Sequence, residues 1–513
     1  MENRDSILHG TVLMESRVIA VLLRRFSTFQ LQKSKFMESP TIKRSKMSDH
    51  EMNKPTQTSS NTTETREINT NYSYYDWHYN QPFYVDKTLL IKELLDTHRV
   101  NVLISAPPRF GKTLNMDMVR RFFEIEIDED GKAIELDVDE NERCLKDVQT
   151  RSKNFKLFQG KKIFEKKEIV FKHFGKYPTI HVNFSELVGH NFEEIFVQFK
   201  KILNKAFRQH AYLEKSSLWG RTGYNKKKFM KYFDPMKYAS LDEYDVKYGL
   251  VNLAEFLHGH HGKKVYMFID DLDVPIHSMI HQYLMSKNDK WRTIELLQHI
   301  TGNLSREYKY IGRSLYNSTL NFSSLILQKA SDISHYPFLD ECMYPKFYGF
   351  EEAEVKYLLE KAGRLEDFNE IKEKYNGYNT ILCGSRIELY NSWAIMNYLK
   401  TGNFDVYWPA SILDKIKQTI GHAEIRPLIT RIMSNNHDWL SCEINYCRFP
   451  EISDIETLSK ALCRNEVDNY HDARFFMQFL NEQGFFRSTH SYSSVLSLKI
   501  PNRTVYSVFD EVL

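Results

Sequence analysis

The sequence predicts an α/β fold: a mostly parallel sheet with helices on both faces, then a helical lid and a small C-terminal module. Three observations lead there. An apolar run, Val100–Ser105, passes through a loop punctuated by Pro107, Pro108 and Gly111 into a helical pattern that opens Lys112-Thr113. A second apolar run, Val265–Ile269, ends in Asp270-Asp271-Leu272-Asp273. Between them Asn191 and Glu194 form a capping box ahead of Phe192, Ile195, Phe199, Ile202 and Leu203. Strands alternating with helices in this way imply parallel pairing, with both faces covered.

The chain has 513 residues, room for two to four domains of the usual ~100–200 residues. A hydrophobic fraction of 42% and an aromatic fraction of 14% exclude a wholly disordered or fibrous chain. Lys+Arg 70 against Asp+Glu 67 gives a net charge of +3, which argues against a globally basic nucleic-acid coat and leaves a local basic patch open. Cys144, Cys342, Cys383, Cys442, Cys447 and Cys463 are scattered and form no CxxC pair. That is no disulfide framework, so the expected location is intracellular, cytoplasmic or nuclear. No stretch approaches the ~18 apolar residues of a membrane span.

Residues 1–74 read as a disordered tail and linker, because the polar run Met47–Thr70 cannot bury enough surface to offset its ordering entropy. Within it Arg17–Phe29 is a short basic amphipathic stretch of the mitochondrial-presequence kind, against which Glu2, Asp5 and Glu15 count. The expected domains are 75–345, carrying the sheet; 346–430, the lid; and 431–513, the C-terminal module.

Strand, loop, Gly-Lys-Thr and helix is the architecture of a P-loop. Such a loop turns backbone N–H groups onto phosphate oxygens, and Gly111 allows close approach without a Cβ. The helix N-terminus adds partial positive charge. Lys112 reaches for the terminal phosphates and Thr113 offers its hydroxyl to Mg²⁺. The usual GxxxxGK[ST] pattern has Gly where this chain has Ala106, and Pro107 and Pro108 supply no N–H, so the loop cannot copy the common one.

The acidic strand end complements the loop. Leu250, Leu253, Phe256 and Leu257 form a helical stripe, and His258–Gly262 is expected to make the turn into the strand. Asp270 is the metal-side carboxylate and Asp271 stands where a water-activating acid belongs. The bland reading is a buried strand whose acids cap the following loop.

Beyond Glu351 helical patterns dominate. Val355, Leu358 and Leu359 mark one helix and Ile395, Tyr398 and Leu399 another. At the C-terminus a helix over Phe475–Gln483, a hairpin from Gly484–Thr489 and Ser494–Ile500, and a last helix read as a winged-helix-like module. Asn225–Phe233 mixes lysines with aromatics and reads as a solvated helix face rather than a nucleic-acid contact. His258, His260 and His261 lack acids or cysteines at metal spacing.

Phe83-Tyr-Val-Asp86-Lys87-Thr88 and Pro108-Arg109-Phe110-Gly111-Lys112-Thr113 together resemble the predicted AAA-ATPase-like family, whose loop reads RPRRFGKT. Phe268-Ile-Asp270-Asp271-Leu272-Asp273-Val-Pro-Ile276 is similar to its hhhDEYDxPI signature. Tyr348-Gly-Phe350, Tyr375-Asn-Gly-Tyr378, Tyr390-Asn-Ser-Trp393 and Ile500-Pro-Asn502 resemble its later pieces, so the likeness runs over about residues 77–513. It implies a P-loop NTPase fold binding ATP with Mg²⁺. Arg109, Phe110, Gly111, Lys112 and Thr113 would hold the phosphates, with Arg109 facing a phosphate or clamping the loop. Thr113 and Asp270 would hold the metal, Lys112 and Asp271 would act on the reaction, and Asp273 would support the site.

Three departures stand out. Asp271 replaces the family's Glu and is shorter by roughly 1.5 Å. Leu315–Ser324 holds no arginine where the family has a Thr/Ser-Arg pair. Leu272 replaces the family's Tyr. The nuclease-like C-terminal domain of many relatives is expected to be absent, since the chain ends at Leu513. Two functions follow as expectations: Mg-dependent ATP binding with hydrolysis, or a nucleotide-binding interaction or switch module with weak or no ATPase activity. The partners expected are the nucleotide and protein partners or further copies of the chain, with no nucleic acid and no membrane.

Overall fold

The computed structural model describes residues 73–75, 83–128, 131–134, 152–338, 343–382, 385–407, 410–434, 442–445, 450–490 and 495–513. The presequence-like stretch, the linker, Cys144, Cys342, Cys383 and Cys447 lie outside them.

At the centre is a five-stranded sheet of order β2-β3-β4-β1-β5, parallel at every pair. Its strands are β1 (Asn101–Ser105), β2 (Thr179–Asn183), β3 (Val265–Asp270), β4 (Ile311–Ser318) and β5 (Ile333–Pro337). Every residue of β1 and β3 is buried, as a strand covered on both faces requires. Side-chain alternation then feeds two separate cores. Val102, Ile104, Tyr266, Phe268 and Leu315 join one; Leu103, Met267, Ile269 and Tyr316 join the other.

The first core is closed by α1 (Leu90–Asp96) and α2 (Lys112–Phe123). Met116, Met118, Val119 and Phe122 of α2 are almost fully buried there, worth about 2 kcal/mol each by apolar area. The second core is closed by α3 (Phe192–Gln209), α4 (Glu243–His261) and α5 (Lys287–Arg306). Asn191 caps α3 by accepting from the Glu194 N–H at 2.9 Å. The Glu194 carboxylate reaches past it and accepts from the His190 N–H at 2.8 Å, so the cap is one residue wider than a standard capping box. Helix α4 runs through the histidines to His261, and the turn begins only at Gly262 (φ 65°), which corrects the expectation of a turn from His258.

The 346–430 segment contains the expected helices, α6 (Glu352–Lys361), α7 (Phe368–Tyr375) and α8 (Ser392–Thr401), around a third core of Val355, Leu358, Ile371, Ile395, Tyr398 and Leu399. It also contains an antiparallel sheet, order β6-β8-β7, from β6 (Phe350–Glu351), β7 (Tyr378–Leu382) and β8 (Ser385–Tyr390), where only helices were expected. The alternation Arg386-Ile-Glu-Leu-Tyr390 is its period-two signal.

The C-terminal part has the expected helix, hairpin and helix: α10 (Tyr470–Glu482), β10 (Arg487–His490), β11 (Val495–Lys499) and α11 (Arg503–Asp510). Two elements precede them, β9 (Cys442–Asn445), which pairs with β11, and α9 (Ile452–Arg464). Ile455, Leu458, Phe476, Leu480, Leu498 and Phe509 belong to the same core that covers the second face of the large sheet. The lysines Lys226–Lys228 are exposed and Phe229 and Tyr232 beside them are buried, so that helix offers no aromatic face for stacking.

Candidate phosphate site

The loop between β1 and α2 has an uncommon shape. The Ala106 N–H continues the strand ladder, donating to Ser318 O at 3.1 Å, so this position needs no left-handed backbone and no glycine. Left-handed backbone falls instead at Arg109 (φ 70°) and Gly111 (φ 85°). Gly111 is the N-cap of α2 and carries no side chain to bond the first turn, which leaves those N–H groups for a ligand.

Arg109 and Phe110 turn outward from this cradle. The Arg109 guanidinium lies over the Trp393 ring, 4.4 Å from its centre, and its carbonyl accepts from Ser392 Oγ at 3.0 Å. Phe110 is buried, edge-on to Tyr378 (4.9 Å) and Phe338 (5.1 Å). The Gly349 N–H donates to its carbonyl at 3.2 Å. These two residues anchor the loop to the segment that follows the sheet.

Lys112 is buried, its amine donating to Ala106 O (2.7 Å), Pro107 O (3.0 Å) and Thr319 Oγ1 (3.1 Å). Burial lowers its pKa, while Asp273, Asp271 and Asp270 push it back up. Asp270 ends β3 and Asp271 and Asp273 follow it, and β4 alone separates β3 from β1, so loop and acids meet at neighbouring strand tips. Thr113 is exposed at the same end.

Asp270 is fully buried. Its carboxylate accepts from Asn317 Nδ2 (3.1 Å), Asn183 Nδ2 (3.3 Å) and the Asp271 N–H (3.1 Å). Burial pushes its pKa up to about 7, the adjoining Asp271 adds to that, and the Thr113 hydroxyl, Asn317 and Lys112 pull it down. Asp271 stands in the left-handed region (φ 54°), which Asp tolerates better than most residues. Burial raises its pKa against the pull of Lys112, and Asp273 raises it further. Asp273 differs. Burial opposes its ionisation, yet His277, the Leu320 N–H and Lys112 hold it below the ordinary carboxylate range. It accepts from the N–H groups of Thr319 (3.0 Å) and Leu320 (2.6 Å) and pairs with His277 Nε2 (3.2 Å).

The donor set fits a magnesium ion. A hydroxyl and a carboxylate are hard oxygen donors, and Mg²⁺ takes one or two protein ligands with phosphates and water filling the rest. An acid kept partly neutral by burial beside a second acid is also one that a divalent charge would ionise.

The sequence reading missed Asn317, Thr319 and Asn183. Asn317 Nδ2 bridges Lys112 O (3.1 Å) and Asp270 Oδ1 (3.1 Å), tying loop to acid. The signal was present: Asn183 and Asn317 are polar residues at the ends of apolar strands, at the same end as Asp270. Leu272 is wholly buried in the second core, so the departure from the family's Tyr is a packing choice.

Residues 72–320 match the profile of the AAA-ATPase-like family, described as a predicted AAA-ATPase. No curated protein matches the chain. Among solved structures the crystal structure of Cdc6p from Pyrobaculum aerophilum matches at 11% identity and a TM-score of 0.24, over 83% of this chain and 91% of that one. The phosphate-loop segment and the acidic strand both lie inside the span, residues 72–320, over which the chain matches the AAA-ATPase-like family.

Proposed function

We propose that the chain binds Mg-ATP at the tips of β1, β3 and β4 and hydrolyses it. The observation that carries this reading is the meeting of the Lys112 amine with Asp270, Asp271 and Asp273, with Asn317 joining loop to acid. The N–H groups of the Arg109–Thr113 segment and the Lys112 amine hold phosphate oxygens, the amine exchanging its three present acceptors for them. Thr113 and Asp270 hold the metal, which when bound neutralises charge on the terminal phosphates. Asp271 accepts a hydrogen bond from the attacking water and orients it. Asp273 keeps Thr319 and Leu320 in place behind the amine. The choice of adenine over guanine rests on the family resemblance. The test is Mg-ATP binding and phosphate release by the full chain beside Lys112→Ala; wild-type turnover no higher than that of the variant removes the enzyme reading.

A second reading, a nucleotide-binding switch with little hydrolysis, is favoured by the shorter acid at 271 and by the lack of an arginine in Leu315–Ser324. Tight Mg-ATP binding without phosphate release, with Asp271→Glu raising release, supports it. Further copies of the chain and other proteins are the partners proposed. Among the described residues no helix is long and apolar enough to cross a membrane.

A further inference from the structure

One half-buried acid near the site comes from the far end of the chain. Glu482 closes α10, some distance in sequence from any phosphate-binding motif, and its Oε2 accepts from the Asn321 N–H at 3.0 Å. Its Oε1 accepts from Gln478 Nε2 at 3.0 Å. The segment it grips is the one that carries Thr319. Three consecutive N–H groups are held by two carboxylates: Thr319 and Leu320 by Asp273 Oδ2, and Asn321 by Glu482. Thr319 Oγ1 in turn accepts from the Lys112 amine at 3.1 Å.

We infer that Glu482 is a positioning residue of the phosphate site, supplied by the C-terminal module, which sets the place of Thr319 and through it of the Lys112 amine. An ordinary docking contact would need only an apolar partner. A carboxyl largely withdrawn from water is costly to keep and is retained where its acceptors are used. Asp273 holds two successive N–H groups through one oxygen, and Ser323 and Ser324 bond the carbonyls of Leu320 and Asn321 from within the same turn. Glu482 adds a hold on the third N–H from a distant element. The amine thus has a defined resting acceptor from which phosphate can displace it.

The inference shares the phosphate-site reading only in its nucleotide arm, so the experiment separates the two. The full chain is compared with Glu482→Ala, Glu482→Asp, Glu482→Gln and Val508→Ala. Val508 is buried in α11, carries no polar side-chain atom, and controls for loss of stability alone. Three readouts are taken: amide exchange at 319–321, acylation of Lys112 by a water-soluble amine reagent followed by mass spectrometry, and Mg-ATP affinity. Glu482→Ala is expected to speed exchange at 319–321 at least tenfold and to raise Lys112 labelling severalfold. Glu482→Gln, which keeps an acceptor oxygen, stays within twofold of wild type. Glu482→Asp, withdrawn by roughly 1.5 Å, falls between and decides the matter if the alanine variant does not fold. Val508→Ala lowers the unfolding temperature and moves neither signal. Wild-type exchange and labelling in Glu482→Ala or Glu482→Asp, or an equal effect of Val508→Ala, overturns the inference. Failure of the wild-type chain to bind Mg-ATP overturns the functional reading alone, since exchange and labelling need no nucleotide.

Discussion

Replacing Glu482 by Gln should make the protein more stable above pH 7 and leave it nearly unchanged below pH 4.5. Burial raises the pKa of this carboxyl from 4.5 to about 7; Asp273 pushes the same way, and Gln478, the Asn321 N–H and His277 oppose. A raised folded-state pKa means that the native state holds the proton where the unfolded chain has released it. Stability therefore falls as pH rises from about 4.5 to about 7 and is flat above. The shift corresponds to about 3 kcal/mol. Gln is the isostere of the neutral acid: its oxygen accepts from Asn321 and its amide faces Gln478, whose own amide can turn to present oxygen. The variant should escape the penalty, so the wild-type minus variant difference grows by about 3 kcal/mol between pH 4.5 and pH 8. The assay is urea unfolding of both proteins at pH 4.5, 6 and 8, read as midpoints, so that other titrating groups cancel. Asp273 and His277 are close enough to couple, and they alter the size of the difference rather than its sign. A difference that stays constant over this range, or grows with falling pH, refutes the reasoning.

Other predictions follow from the same contacts. A Cβ on Gly377 (φ 101°) would lie 1.8 Å from Pro501 O, so Gly377→Ala should cost at least about 2 kcal/mol and lower the thermal midpoint measured by calorimetry. Asn317→Ala removes the bridge between Lys112 O and Asp270 and leaves both acceptors buried; we expect a loss of about 1–3 kcal/mol in stability and weaker Mg-ATP binding by titration calorimetry. Phe110→Ala should destabilise by about 3–5 kcal/mol and raise proteolytic cutting in the loop, because that ring anchors it to Tyr378 and Phe338. Ser392→Ala should be far milder, about 1 kcal/mol, since it removes one half-buried hydrogen bond to Arg109.

Strands β1 and β3 of the central sheet were legible because they are short and apolar and are separated by strongly periodic helices, whereas β4 and β5, broken by Arg313, Ser314, Asn317, Ser334 and His335, were not. Val100–Ser105 and Val265–Ile269 declare themselves by composition, and the structure moves their ends by a single residue. The loop residues from Gly111 to Thr113 and the acids were legible for the same reason: they stand at the ends of such strands. What was hidden depends on non-local pairing. The strands β7 and β8 carry Asn, Thr, Arg and Glu, so their pattern is too weak to compete with the helices on either side. The stacking of Arg109 on Trp393, nearly 300 residues later in sequence, was hidden for the same reason. Glu482 gave no signal at all: an acid late in an amphipathic helix reads as solvent-facing until the loop it grips is in place. The tyrosine- and asparagine-rich family pieces look like chemistry in sequence and act as joinery. Asn502 caps α11 and donates to Asn376 O at 2.8 Å, and Tyr378 donates to Gly484 O at 2.9 Å.

The core that runs from the second face of the sheet into α9, α10 and β11 has a practical corollary. A fragment cut at the boundary of the family match would keep the Lys112 loop and every acid of β3, yet bare an oily flank where Phe475, Phe476 and Leu480 had rested. Such a piece would be expected to clump in the tube, and its silence in an assay would speak of missing cover rather than of missing chemistry.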